Sequence, residues 1–337
     1  MLNEVTQKLD SIFSQTTVPS CEALTVLLQK GIKLLTSENP HIRKPKFCAK
    51  FGGLLSFSDN LPTVIVPDLH ARWFFIKHIL DYSFHGKTCL ELLCENKLRI
   101  ICVGDILHSE SRGKERWLSA LNEYNNNNIV NDYILEEMTE GLKTVQLLIT
   151  LKEFFPDNFH ILKGNHENIK NVNGHGNYSF YKYAYEGTLV YEFMYINYGE
   201  NLVSLFEKFE KKLPLIAVDN RFVVSHSEPA RAYTQKELIA CSSEVIAGLT
   251  WTKNGDAHPF AVLKMLEKLT KNPNSTYFAG HRPVTEKYKG FYGNKFIQIH
   301  NPIAENIVYI SPDRPFNLET DIVTVYEEIQ NEDGTST

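Results

Sequence analysis

A buried strand, an amphipathic helix and a second buried strand follow one another in the first third of the chain, and this order allows few folds. The strands are predicted over residues 63–66 and 98–103, which are short, apolar and rich in β-branched side chains. Between them, apolar residues recur at helical spacing over residues 72–83. A strand, a helix and a strand in this order predict a βαβ unit with a parallel sheet, and therefore an α/β fold.

The rest of the chain divides by its pattern of apolar residues. Leu24, Leu28 and Leu35 have the spacing of one helix face, and a further helical pattern runs over residues 116–155. Strand patterns dominate the second half of the chain. We expect three parts, namely a helical N-terminal extension over residues 1–60, a main domain over 61–330 with a helical insertion at about 106–158, and a disordered tail over 331–337.

Charge and composition exclude several kinds of partner. The chain has 35 Lys and Arg against 40 Asp and Glu, a formal net charge of −5, so bulk electrostatics does not draw it to nucleic acid or to an anionic bilayer. No apolar run approaches the roughly 18 residues that a transmembrane helix needs. The six cysteines form no CxxC pair. We therefore expect a cytoplasmic protein with no nucleic-acid or membrane partner.

Polar side chains with the chemistry of metal ligands follow five of the predicted strands. In an open α/β sheet, groups just beyond the carboxyl ends of the strands converge on one crevice. Five separate segments would therefore bring carboxylate, amide and imidazole groups to one place. These segments contain Asp68 and His70, Gly104 and Asp105, the tetrad Gly164-Asn165-His166-Glu167, Ser225 and His226, and Gly280 and His281.

Each of these clusters has an ordinary structural explanation when it stands alone. An Asp-x-His after a strand is usually a helix cap, and a Gly-Asp is usually a turn. Four of the twelve histidines lie in such clusters, however, and together with the acids they favour a metal site. This ligand set suits Mn²⁺, Fe²⁺/Fe³⁺ or Zn²⁺ better than an all-oxygen Ca²⁺ cage. A carboxylate that bridges two cations about 3.5–4 Å apart would serve phosphoryl transfer.

The order of the clusters resembles that of the calcineurin-like metallophosphoesterase superfamily, which is D-x-H, G-D, G-N-H-[DE], H and G-H. The match extends over about residues 62–312, and its third motif, residues 164–167, agrees at four positions. Residues 213–226 and the motif Gly280-His281-Arg282-Pro283-Val284 look like the phosphoprotein phosphatase branch and its bacterial relatives. The resemblance implies a four-layer α/β/β/α sandwich of mixed sheets.

The resemblance also implies a metal ligand set. Two divalent transition-metal ions would lie side by side, with Asp105 bridging them. Asp68 and His70 would hold the first ion. The second ion would be held by three residues from three other strand ends, Asn165, His226 and His281.

The implied reaction is hydrolysis of a phosphate monoester. A hydroxide that bridges the two metals would attack phosphorus, and His166 would donate a proton to the leaving group as general acid. The substrate would be a phosphorylated small molecule or a phosphoprotein, as for serine/threonine phosphatases. Two other functions stay open, which are phosphodiester or nucleotide-anhydride hydrolysis with the same metals, and a metal-binding scaffold that has lost activity. The sequence does not indicate an oligomeric state.

The group that binds the phosphate departs from the family pattern. In the phosphoprotein branch the second motif continues G-D-x-x-D-R-G, and here Ser109 stands in place of the arginine that recognises phosphate oxygens as a fork. Arg112 and Arg72 are the candidates to replace it in the catalytic site, although Arg112 could equally belong to a surface loop. Arg282 also lies near the expected crevice.

Some residues near the predicted site have more than one possible role. Glu228 adds negative charge where a phosphate should approach, and it either faces away, binds a metal or selects a less anionic substrate. Glu167 either supports the ligands or stabilises a helix N-terminus. His300 either adds an imidazole or is structural. Nine Tyr or Phe residues fall within residues 178–198, where they either line the substrate site or pack in a helix core.

Overall fold

The computed structural model describes residues 1–45 and 51–326, which form two stacked β-sheets with helices on both outer sides. This arrangement confirms the predicted four-layer α/β/β/α sandwich of mixed sheets, with helices in the predicted insertion. The predicted tail lies outside the described residues. The division of the chain into an extension and a main domain stays a prediction.

The described strands belong to two large sheets and one short hairpin. They are β1 (Arg43–Pro45), β2 (Phe51–Ser56), β3 (Thr63–Val66), β4 (Ser83–Phe84), β5 (Lys87–Thr88), β6 (Arg99–Cys102), β7 (Phe159–Ile161), β8 (Ile216–Val218), β9 (Phe222–Ser225), β10 (Thr276–Ala279), β11 (Lys289–Phe291), β12 (Phe296–Gln298), β13 (Asn306–Ile310) and β14 (Ile322–Thr324). One sheet has the order β1-β2-β8-β9-β10-β12-β11 and the other β14-β13-β3-β6-β7. Strands β3, β6 and β7 are parallel to one another, and so are β9, β10 and β12.

The helices cover the two outer faces. They are α1 (Leu2–Phe13), α2 (Cys21–Thr36), α3 (Trp73–Asp81), α4 (Cys89–Cys94), α5 (Lys114–Asn125), α6 (Asp132–Phe154), α7 (Glu186–Glu210), α8 (Gln235–Ala240), α9 (Ser243–Thr250), α10 (Ala261–Thr270) and α11 (Leu318–Asp321). Within residues 1–45 and 51–326, none of these helices has the length and hydropathy that crossing a membrane requires.

Alternate side chains of the central strands belong to different hydrophobic cores. In β3, Val64 and Val66 pack with helices α1–α7, whereas Ile65 packs between the two sheets. In β10, Tyr277 packs with helices α8–α10, and Phe278 packs between the sheets. This period-two alternation is the reason that both sheets are covered on both faces. It also holds the two sets of parallel strands in fixed positions, so that their carboxyl ends lie at one edge of the sandwich.

The predicted helical extension over residues 1–60 is wrong in its last part. Helices α1 and α2 lie within it, but β1 and β2 follow them, and β2 pairs in parallel with β8 inside the seven-stranded sheet. Strand β2 has the sequence FGGLLS, whose two glycines hide the strand pattern. A Cβ at Gly52 would lie 2.7 Å from the carbonyl oxygen of Ile239 in α8, so glycine is needed where this helix crosses the strand.

A buried network of charges links the N-terminal helices to α6. An oxygen of Glu38, just after α2, lies 2.7 Å from Nη1 of Arg43, and its other oxygen lies 2.6 Å from Nζ of Lys152. The three side chains are almost completely buried. Although burial acts to raise the pKa of Glu38, the neighbouring Lys152, His160 and Arg43 hold it well below its usual value.

We predict that Glu38→Gln lowers the free energy of unfolding by about 3–5 kcal/mol, because two buried cations lose their shared carboxylate. Urea unfolding followed by circular dichroism measures this loss. Glu153→Gln is the matched control, since Glu153 lies 2.8 Å from Lys30 in an exposed pair, and we expect a change of less than about 1 kcal/mol. Equal losses in the two variants would contradict the stabilising role of the buried network.

Candidate metal centre

The side chains that follow β3, β6, β7, β9 and β10 meet in one cluster where the two sheets end. Among the described residues, three sets of ligand atoms each lie within 4.8 Å of one another. These sets are Asp68, Asp105 and His226; His70, Asp105 and His166; and His70, Glu110 and His300. The structure therefore brings together the predicted ligands from separate parts of the chain.

The residues predicted for the second metal surround the side-chain oxygen of Asn165. Nε2 of His226 lies 2.7 Å from this oxygen, and Nδ1 of His281 lies 2.9 Å from it. Nε2 of His226 is also 3.4 Å from Oδ2 of Asp105. Residues from four strand ends thus direct one nitrogen or oxygen atom each toward the same small volume.

The residues predicted for the first metal lie on the other side of Asp105. Nε2 of His70 is 3.6 Å from Oδ2 of Asp105. Asp68 is fully buried, and one of its carboxylate oxygens accepts a hydrogen bond of 2.9 Å from the backbone N–H of His281. Asp105 therefore lies between the two predicted metal positions, as a bridging carboxylate must.

Backbone carbonyls determine which ring nitrogens of His70 and His226 face the cluster. Nδ1 of His70 lies 2.9 Å from the carbonyl oxygen of His108, and Nδ1 of His226 lies 3.1 Å from that of Val103. Because a carbonyl oxygen only accepts hydrogen bonds, Nδ1 carries the proton in both rings. In a neutral ring, the lone pair of Nε2 then points into the cluster, which is the arrangement of a metal ligand.

Glycines in the motifs allow the strand-end loops to approach one another. A Cβ at Gly280 would lie 2.5 Å from both carboxylate oxygens of Asp68, and a Cβ at Gly164 would overlap Oδ1 of Asp105. Any larger residue would displace a predicted metal ligand. The glycines of G-N-H and G-H are thus required by the packing of the site.

Glu167 ties two of these loops together. Its carboxylate accepts hydrogen bonds from the backbone N–H groups of Gly164 at 2.5 Å, Asp105 at 2.9 Å and Ile106 at 2.8 Å. Glu167 could either support the ligands or stabilise a helix N-terminus. These contacts favour the first role, because Glu167 holds the backbone of Asp105. A helix N-terminus does not follow it within the described elements, since the next helix begins at Glu186.

Burial sets the protonation of the cluster. It lowers the pKa of His70 to about 4 and those of His166 and His281 well below the usual value, so these rings are neutral at pH 7. Burial also acts to lower the pKa of His226, but the carboxylate of Asp105 above all raises it to about 9. Burial raises the pKa of Asp105 well above its usual value. The ring of His226 therefore holds a proton that a bound cation would displace.

Orphaned atoms in the cluster indicate that it is built for cations. Oδ1 of Asp68 and Nδ1 of His300 are buried and make no hydrogen bond within the described residues, although Oδ1 of Asp68 lies 3.1 Å from Nδ1 of His226. A buried polar atom without a partner costs about 1–3 kcal/mol. Carboxylate, amide and imidazole groups are ligands of divalent transition metals, so the residues present fit such ions.

His166 lies at the edge of the cluster with its ring held by neighbours. Its Nε2 is 3.9 Å from Oδ2 of Asp105, and its backbone N–H donates a 2.9 Å hydrogen bond to Oδ1 of the same residue. The ring of Phe180 packs against it with a centroid distance of 4.1 Å. Phe180 thus belongs to the site, whereas Phe193, from the same aromatic segment, is buried in the helix core.

Two predicted catalytic arginines are occupied by other partners. Arg72 is buried and donates hydrogen bonds to the carbonyl oxygens of Leu69, Asp68 and Asn301. Its guanidinium thus contacts the loop of Asp68, and its role in the catalytic site stays a prediction. Arg112 lies 2.7 Å from Glu140 and donates to the carbonyl oxygen of Ala71, so its role in the catalytic site stays a prediction.

The departures from the family motifs also have local explanations. The hydroxyl of Ser109 donates a 2.5 Å hydrogen bond to Glu137, so this side chain faces α6. Glu228 accepts a 2.7 Å hydrogen bond from the hydroxyl of Tyr292, and burial raises its pKa. Glu228 therefore has a hydrogen-bond partner outside the ligand cluster.

Sequence reasoning missed two charged residues beside the first metal position. Glu110 lies 3.6 Å from Nε2 of His70, and it accepts a 2.6 Å contact from Nζ of Lys182. Glu110 lies inside the second motif, so its position in the sequence could have indicated that it lies near the metal site. Lys182 is seventy-two positions away in sequence, and only the folded chain brings it to Glu110.

No family model matches the chain, and no curated protein matches it by sequence. Solved structures do match its fold. A protein serine/threonine phosphatase from Saccharomyces cerevisiae with similarity to human phosphatase PP5 aligns over 90% of this chain and 89% of its own, with a TM-score of 0.56 at 12% identity. A cold-active protein-tyrosine phosphatase of a psychrophilic Shewanella aligns over 78% of each chain, with a TM-score of 0.48 at 13% identity. The alignment with the yeast protein shows that this chain shares the fold of that phosphatase.

We predict that Mn²⁺ raises the melting temperature of the chelator-treated protein. A cation that binds only the folded state adds about 2.7 kcal/mol at a free concentration of 100 times its Kd. Asp105→Asn should remove most of this rise, because the bridging carboxylate is lost, whereas the exposed Asp81→Asn should retain it. Thermal unfolding with and without Mn²⁺ measures the effect. A full rise in Asp105→Asn would contradict the assignment of Asp105 as a ligand.

We also predict that Mn²⁺ affinity increases between pH 6 and pH 9. The raised pKa of His226, about 9, means that the metal-free ring is protonated below that pH and must lose its proton to bind a cation. Titration calorimetry in buffers with different ionisation enthalpies measures the released proton. An affinity that does not change over this pH range, with no proton released, would contradict the place of His226 in the metal site.

Proposed function

We propose that this protein is a metal-dependent phosphoesterase that hydrolyses phosphate monoesters. The substrate would be either a phosphoprotein or a phosphorylated small molecule. The observation that carries this proposal is the position of Asp105. Its Oδ2 lies 3.4 Å from Nε2 of His226, 3.6 Å from Nε2 of His70 and 3.9 Å from Nε2 of His166. One carboxylate thus adjoins both predicted metal positions and the predicted general acid.

The ligands divide into two groups around this carboxylate. Asp68 and His70 would complete a first position. A second position would be completed by Asn165, His226 and His281. Two divalent cations bound there would polarise the phosphate and supply an activated water. The protein's own contribution is to hold these ligands in a buried pocket, where the backbone bonds described above keep their orientation.

His166 would donate a proton to the leaving group. Its ring is confined by Phe180 and by the backbone bond to Asp105, so its position is set before substrate binds. Burial lowers the pKa of His166, and a dianionic ligand beside the ring would raise it again. A phosphate monoester carries about two negative charges at neutral pH, whereas a diester carries one. A bound monoester would therefore raise the pKa of His166 more than a bound diester would.

In this proposal, Arg282 takes the place of the missing phosphate-binding arginine. All arginines of the chain lie in its described part, and Arg282 is the one whose guanidinium makes no hydrogen bond, ion pair or ring contact there. It follows His281 directly, so an anion bound beside that ligand would be within reach of an uncommitted guanidinium. The yeast structural neighbour, described as a serine/threonine phosphatase, gives additional support for a phosphorylated protein side chain as substrate.

The test is hydrolysis of p-nitrophenyl phosphate by the purified protein with Mn²⁺. We expect turnover, with a loss of about 10²–10⁴-fold in kcat for His166→Asn while metal content is retained, because this variant lacks only the proton donor. The exposed His41→Asn is the matched control and should keep full activity.

A comparison with bis-p-nitrophenyl phosphate distinguishes the alternatives. Faster cleavage of the diester would contradict the monoester proposal and favour a phosphodiesterase. Metal binding without turnover of either ester would favour a scaffold that has lost activity. Full activity in His166→Asn would contradict the role of His166 as general acid.

A further inference from the structure

His300 lies where β12 ends, and its ring is enclosed between two carboxylates. Nε2 makes a 2.6 Å hydrogen bond with Oε2 of Glu110, and Nδ1 lies 3.1 Å from Oδ2 of Asp68 without forming a hydrogen bond. The side chain is completely buried. A ring in this position connects a predicted ligand of the first metal to a carboxylate that the sequence did not assign.

The two contacts of His300 make opposite demands on its ring. A carboxylate only accepts hydrogen bonds, so the nitrogen facing Glu110 carries a proton. In a neutral ring, Nδ1 then presents a lone pair toward an oxygen of Asp68 that also has only lone pairs. Two such atoms at 3.1 Å repel each other unless a positive centre lies between them. A metal ion bound to both atoms removes this repulsion.

Glu110 has the contacts of a carboxylate that orients a metal-binding histidine. Oε2 bonds the far nitrogen of His300, and Oε1 lies 2.6 Å from Nζ of Lys182. The ammonium group compensates the charge of Glu110 from the solvent side, because the Lys182 side chain is 45% exposed. Metal-bound imidazoles commonly donate their second N–H to a carboxylate in this way.

We infer that His300 is a further ligand of the first metal, bound through Nδ1, and that Glu110 is the residue that positions its ring. This inference rests on the proposed function, since it extends the same metal site. The first position would then have four protein ligands, Asp68, His70, Asp105 and His300. An imidazole from β12 would supply a donor that the D-x-H and G-D motifs alone do not provide.

The competing arrangement is a protonated His300 that pairs with both carboxylates and binds no metal. The two arrangements differ in what happens when the residue is replaced. If His300 is a ligand, its loss removes the first metal and leaves the second. If it is only a charged partner of Asp68 and Glu110, both metals are retained.

The experiment measures Mn²⁺ per chain by inductively coupled plasma mass spectrometry, after equilibration with a chelator buffer at fixed free Mn²⁺. We expect two equivalents in the wild-type protein and one in His300→Gln. Glu110→Gln is nearly isosteric and tests the inference even where the His300 variant does not fold. It should weaken the affinity for the first equivalent by about 10–100-fold, because the ring loses its orienting partner.

Two control variants separate metal binding from general charge effects. His78→Gln breaks another His–Glu pair, in which Nδ1 of His78 lies 2.7 Å from Glu305, and it should retain two equivalents. Lys182→Met removes the cation from Glu110 and should also retain two. The inference would be overturned if His300→Gln still bound two Mn²⁺ per chain or bound none. It would also be overturned if Glu110→Gln bound the first Mn²⁺ with unchanged affinity. A wild-type protein that binds no Mn²⁺ would instead refute the proposed function.

Discussion

The burial of unlike titratable groups at one end of the sandwich is the constraint on which the rest of the site depends. Asp68, His226 and His300 are fully buried, and Asp105 is nearly so. Taking carboxylates and imidazoles out of water costs free energy unless opposite charges or hydrogen bonds compensate. A proton on His226 supplies part of that compensation, and several atoms still lack a partner. Divalent cations would supply the rest.

The fold brings these groups together through two sets of parallel strands. Strands β3, β6 and β7 belong to one sheet, and β9, β10 and β12 belong to the other, so six strand ends meet at a single edge. Hydrophobic side chains that alternate between the faces hold the two sheets against each other. The ligands therefore lie on the loops that directly follow the strands of this core.

Sequence reasoning predicted the parallel strands and the ligand cluster because both leave local signals, whereas the four-layer sandwich was implied by the family resemblance. A short run of β-branched residues followed by an acid or a histidine indicates the end of a strand, and Asp68 and Asp105 are two such acids. The strand β2 left no such signal, since Gly52 serves a helix crossing that depends on distant residues. The same holds for Phe180 and Lys182, which reach His166 and Glu110 only through tertiary packing.

The arginines show why the partners of a side chain are harder to predict than its approximate place. Arg72 does lie beside the metal centre, but its guanidinium already donates hydrogen bonds to three backbone carbonyls. Arg282 was equally near in the sequence, and only the structure shows that its guanidinium is uncommitted. Whether a charged side chain is available to bind a ligand depends on neighbours from several elements. A local sequence pattern does not indicate these neighbours.

The most direct test of the central claim is anomalous diffraction from crystals equilibrated with Mn²⁺. We expect two anomalous peaks about 3.5–4 Å apart, one on each side of Asp105, with Asp68 and His70 at one peak and His226 and His281 at the other. A map with no peak in this cluster, or with Mn²⁺ bound only elsewhere on the protein, would contradict it.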